Sequence, residues 1–123
     1  MPQLHLHGRL WATLDGRNFL GRGRVELLER IRATGSISQA ARAMKMSYKA
    51  AWDAVDAMSK AWGRPLTASA AGGRGGGGTR LTEDAETLIA AFRRWEKEHR
   101  RFLESLARTG PLPAASDKSA SLS

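Results

Sequence analysis

Along this 123-residue chain the spacing of apolar positions changes from one stretch to the next, and each change marks an element. From Leu4 to Leu14 the period is two. Leu4, Leu6, Leu10, Ala12 and Leu14 fall on one side, and His5, His7, Arg9, Trp11 and Thr13 on the other. That alternation predicts a half-buried strand. Asp15-Gly16 then supplies two residues that tolerate positive φ, as a tight hairpin turn requires, and Asn18-Phe19-Leu20 supplies a short return strand. Val25, Leu27, Leu28 and Ile31 switch the pattern to a helix that Gly35 can end. Ser36 can cap a second helix, with Ile37, Ala40, Ala41 and Met44 on its buried side. The paired alanines allow two helices to cross closely.

Met46 fills the corner, and Ser47 can cap a third helix that runs to about Trp62 and ends at Gly63. Ala51, Val55 and Met58 form its core stripe, leaving Tyr48, Lys49, Trp52, Asp53 and Asp56 mostly on the other sides. Two short strands, 65–69 and 79–81, flank the glycine run 72–78. Thr82 can cap a last helix of about 25 residues, with Glu83, Asp84 and Glu86 in its positive first turn. Its stripe of Ala85, Leu88, Ile89, Phe92 and Trp95 resumes at Phe102, Leu103 and Leu106. A helix that long outruns so small a core, so its distal half is expected to pack on a partner chain. The Ser-, Ala- and Pro-rich residues 109–123 are expected to be a disordered tail that reads as a natural end, leaving 1–108 as one domain.

The predicted fold is mainly α with small β: a winged helix-turn-helix with an N-terminal β-hairpin and a long C-terminal dimerisation helix. Charge adds a partner to that picture. The net charge is +8, and residues 1–80 carry all of it, with 13 Lys and Arg against 5 Asp and Glu; residues 81–123 hold 7 of each sign. A basic body beside a neutral helix points to a polyanion, although arginine-rich genome composition would give the same count. The absence of cysteine removes disulfides and thiolate chemistry. No apolar stretch is long enough to span a bilayer, so a soluble, cytoplasmic protein with no membrane partner is expected.

The third helix would enter the major groove by its N-terminal end. There Lys49 could donate to guanine, and Tyr48 could reach a phosphate or a thymine methyl. Ser47 and its neighbouring amides form a positive end suited to phosphate. Trp52 could touch the sugar-phosphate backbone or tuck under the first helix. Asp53 could hold Lys49 at i, i+4 or accept from cytosine N4. In the glycine run, Gly73 and Gly78 have the spacing of a phosphate-binding P-loop, but Thr79-Arg80 follows where Lys-Ser/Thr is needed. A wing tip fits better, its glycines letting the backbone approach phosphates while Arg74 and Arg80 supply charge. The expected DNA-binding set is Ser36, Ser38, Gln39, Ser47, Tyr48, Lys49, Trp52, Asp53, Gly73, Arg74, Gly75, Gly76 and Arg80. His5 and His7 resemble a metal pair without a third ligand, and no catalytic constellation, metal site or cofactor site emerges.

Gly35-Ser36-Ile37-Ser38-Gln39-Ala40-Ala41, Ser47-Tyr48-Lys49-Ala50-Ala51-Trp52-Asp53-Ala54, and the glycine run through Leu81-Thr82 closely resemble the N-terminal domain of the ModE family, the molybdate-responsive transcriptional regulators. The resemblance covers roughly residues 20–106. It implies a LysR-like winged helix-turn-helix that dimerises through long terminal helices and binds a palindromic operator in double-stranded DNA. It places groove reading on Ser47, Tyr48 and Lys49, and the wing on 72–80. Full-length members continue into molybdate-binding β-barrels with no counterpart in this sequence, so the expectation is a ModE-type regulator lacking the molybdate-binding domains, either stand-alone or a fragment of a longer regulator, with molybdate binding left open. The alternatives are a winged-helix scaffold serving as a protein-interaction module, or a direct oxyanion sensor using the glycine-rich segment.

Overall fold

A computed structural model describes residues 2–70, 78–110 and 112–114. A hairpin comes first, β1 (Trp11–Leu14) pairing antiparallel with β2 (Arg17–Gly21). Asp15 and Gly16 both take positive φ, 51° and 79°, and close it as these residue types predict. The strand expected over residues 4–14 is confined to its last four residues. β2 gives way to helix at Arg22, so the ladder ends at the Trp11–Gly21 pair and nothing remains for residues 4–10 to pair with. That leading segment lies beside the last helix instead, with Gly8 against the His99 ring. The register also slips between Ala12 and Thr13, leaving Phe19 as an extra residue in β2. This bulge explains why the adjacent Phe19 and Leu20 are both buried, where a regular strand would expose one of them.

Three helices follow: α1 (Arg22–Thr34), α2 (Ile37–Ala43) and α3 (Tyr48–Trp62). Gly35 ends α1 in the left-handed region, its N–H donating to the Ile31 carbonyl at 2.8 Å. Gly63 ends α3 in the same way. The second sheet is the antiparallel pair β3 (Thr67–Ala70) and β4 (Gly78–Leu81), in register from Thr67–Leu81 to Ala70–Gly78. α4 (Glu83–Thr109) completes the chain of elements, and Thr109 of the expected tail is its last residue. Residues 115–123 of that tail lie outside the described residues.

One core joins these parts. Val25, Leu28 and Ile31 share it with Ala40, Ala41, Ala51, Val55 and Met58, with Leu88, Ile89 and Phe92 of α4, and with Phe19, Leu20 and Leu66. Each fully buried large side chain contributes about 1.5–3 kcal/mol. Ala40 and Ala41 are both buried on the core side of α2, as the spacing of the paired small residues predicts. Trp95 departs from its expected place in the core stripe. It sits at the rim of the core, edge-on to Phe92 with ring centroids 6.3 Å apart, and is exposed.

Polar clamps fasten α4 to the rest. Arg93 grips both oxygens of Glu29 on α1, its Nε donating to Oε2 at 3.0 Å, and also donates to Glu96 at 2.6 Å. Arg32 pairs with Glu86. Glu29 is held below its ordinary range, first by the Arg93 hydrogen bonds against the raising effect of burial, then by the charges of Arg93 and Arg32. Asp84 ties α4 to the end of α3, accepting from the Trp62 indole at 3.0 Å and pairing with Arg64 at 2.8 Å. Trp62 in turn stacks on Phe19.

Candidate nucleic-acid interface

The connection between α2 and α3 decides what α3 can present. Lys45 takes the left-handed conformation (φ 57°) just past Met44, the residue that caps α2. Its N–H donates to the Arg42 carbonyl at 3.1 Å, and the Met46 N–H donates to the Ala41 carbonyl at 3.0 Å. These are the two bonds of a Schellman ending, with lysine where glycine is usual. Ser47 then turns the chain into α3, its hydroxyl accepting from the Ala50 N–H at 3.0 Å. Ser36 does the same for α2 through the Gln39 N–H at 3.0 Å. Both hydroxyl caps match the sequence expectation, and each contributes about 1 kcal/mol.

With α3 fixed by Ala51, Val55 and Met58, its opposite side faces outward at the N-terminal half. Tyr48 is 56% exposed and Trp52 47%, so Trp52 does not tuck under α1. The Lys49 ammonium stands 2.8 Å from the Asp53 carboxylate, one turn on. That contact raises the Lys49 pKa, first by hydrogen bonding and then by charge. Of the two roles open to Asp53, the isolated chain displays the grip on Lys49. Asp56 pairs with Lys60 at 2.9 Å. Ser38 and Gln39 are exposed on α2. Two cations missed by sequence reasoning, Arg42 and Lys45, are exposed beside them. Lys45 could have been found only by recognising that the Met44–Met46 corner needs a left-handed residue.

The base of the wing is built against the helix-turn-helix. The Thr79 N–H donates to the Gly35 carbonyl at 2.8 Å, and the Thr82 N–H to the Leu66 carbonyl at 3.0 Å. Ser59 of α3 accepts from the Leu66 N–H at 3.1 Å. Arg80 is exposed on β4. Gly73, Arg74, Gly75 and Gly76 lie outside the described residues. The strands on either side of the run pair with each other antiparallel, which is the frame of a wing and not the strand-to-helix turn of a P-loop. His5 and His7 are exposed, and among the described residues no three His, Cys, Asp or Glu side chains come together. No helix among those residues is long and apolar enough to cross a membrane.

Two capped helices meeting at a tight corner, braced by a two-stranded wing, define a winged helix-turn-helix. Residues 23–86, just over half of the chain, match the family described as bacterial regulatory helix-turn-helix protein, lysR family, and the chain belongs to it. It is similar to the molybdenum transport protein ModE of Azotobacter vinelandii, at 45% identity over 99 residues, covering 80% of this chain and 37% of that one. It is 52% identical over 73 residues to the molybdenum-pterin-binding protein MopB of Rhodobacter capsulatus, covering 59% and 27% of the two chains. With the DNA-binding transcriptional dual regulator ModE of Escherichia coli K12 it shares 40% over 83 residues, covering 68% and 32%. The chain spans about a third of the length of these curated relatives.

Proposed function

We propose that this chain acts as a ModE-type transcriptional regulator that binds double-stranded DNA without catalysing a reaction. The N-terminal half of α3 enters the major groove, and the wing holds the flanking backbone. One observation carries the reading: Tyr48, Lys49, Trp52 and Asp53 stand together on the solvent side of a helix whose other side is locked into the core. Tyr48 and Trp52 there leave about half of their large aromatic surface open to solvent. The ModE name of the relatives points the same way. Ser47, Tyr48 and Lys49 meet base edges and the nearest phosphate, Ser38, Gln39 and Arg80 meet the backbone, and the residues 73–76 extend the wing contact. A second copy joins through α4, so the operator carries two related half-sites, and the site of action is the cytoplasm.

Gel-shift titration at physiological salt, comparing fragments of the source genome with poly-dI·dC, tests this. Selective retention of a small set of fragments is expected, with Lys49→Ala lowering that selectivity about tenfold or more. Equal affinity for all fragments and for poly-dI·dC would overturn the reading.

A further inference from the structure

We infer that Lys49 and Asp53 act as a single reading unit that selects a G·C base pair, Lys49 on the guanine and Asp53 on the cytosine amino group. This rests on the DNA-binding reading above and adds to it the chemistry of the base pair recognised.

A carboxylate is the wrong sign for a groove walled by phosphates, where every added anion weakens binding. Asp53 is nevertheless exposed on the outward face of α3, one turn from Lys49 and near the end of the helix that approaches base edges. The other acid of α3, Asp56, is half-buried and engaged by Lys60. Both acids pair with a lysine four residues away, but only Asp53 is exposed near the base-reading end of the helix. In the major groove a G·C pair presents two adjacent acceptors, guanine N7 and O6, followed by a donor, cytosine N4. An ammonium beside a carboxylate is the complement of that order.

The ion pair need not open to read it. The contact at 2.8 Å uses one Lys49 proton and Oδ2 of Asp53. Two ammonium protons remain for guanine, and Oδ1 remains to accept from cytosine N4. An A·T pair fits poorly, because its amino group is followed by thymine O4, an acceptor that repels the carboxylate. The pair also acts on the wrong sequences. With its charge balanced by Asp53, Lys49 adds little attraction for phosphates in general, so non-specific DNA gains little from it.

Selection from a library of randomised duplexes tests the unit, using the full chain as wild type, Asp53→Ala and Asp53→Asn, with circular dichroism confirming that each is folded. Wild type should enrich a half-site containing one fixed G·C pair. Asp53→Ala should lose preference at that pair alone, by about tenfold, while binding random DNA more tightly and with a salt slope steeper by about 0.9. Asp53→Asn should move the preference at the same position towards adenine, whose N6 and N7 suit an amide. If Asp53→Ala enriches the same half-site with undiminished discrimination, or loses preference evenly at all positions, the reading unit is overturned while DNA binding stands. If wild type enriches no sequence, the regulator reading fails and this one with it.

Discussion

Gly78 has no room for a side chain. A Cβ there would lie 2.7 Å from the Gly35 carbonyl oxygen, a backbone atom that cannot swing aside. The same carbonyl receives the Thr79 N–H, so crowding Gly78 also pulls on the bond that holds β4 to the end of α1. Gly78→Ala is expected to cost about 1–3 kcal/mol, read as a lower urea midpoint at unchanged slope. Gly23→Ala provides the contrast. That glycine lies in α1 with nothing near its Cβ direction, so alanine should stabilise by about 0.5–1 kcal/mol. A Gly78→Ala midpoint no lower than wild type would show that β4 shifts freely. The glycine run announced a wing in the sequence, but not that its last member is fixed by sterics. That depends on Gly35, which lies far away in sequence. Lys45 was illegible for a similar reason: its left-handed φ serves the α2–α3 corner, and lysine is not a residue that signals one.

At the scale of elements, α4 is joined to α1 by charge as well as by apolar contact, which makes that junction sensitive to acid. Because the Glu29 carboxyl is held below its ordinary value of 4.5, its contribution is fully present above that pH. It is lost as pH falls from there through the lower folded value. Wild type and Glu29→Gln should therefore differ most in urea stability near about pH 6 and converge as pH falls through the lowered folded value. A difference that stayed constant with pH would remove Glu29 from the acid response. The helices themselves were largely legible, because each carries its own signal: Ser36, Ser47 and Thr82 as caps, Gly35 and Gly63 as ends, and the Ala51–Val55–Met58 stripe. The N-terminal strand is shorter than its alternation, covering Trp11–Leu14 alone. Alternation from Leu4 to Leu14 describes which side chains share a side, but a strand also needs a partner, and β2 is five residues long.

For the whole molecule, α4 is the part that a single chain leaves unfinished. Its 27 residues span about 40 Å, and Trp95, Phe102 and Leu106 remain exposed along it, Phe102 at 59%. If a second copy covers this stripe, Phe102→Glu should yield a single-chain species by sedimentation where wild type sediments as two. The variant should keep its affinity for one half-site and lose the gain that two half-sites bring. Wild type sedimenting as one chain would remove α4 from that role. The sequence made the stripe visible through its spacing, and the exposed row Tyr48, Lys49, Trp52 and Asp53 through what the core stripe of α3 left over. It could not reveal how the two surfaces are connected. That link is Asp84, which holds the Trp62 indole and Arg64 at the junction of α3 with α4. If that tie holds the end of α3 to the start of α4, a dimer built on α4 would work as a gauge of fixed length. Its two reading ends would stand at one separation, and an operator whose half-sites were respaced by a few base pairs would be rejected even with every base intact.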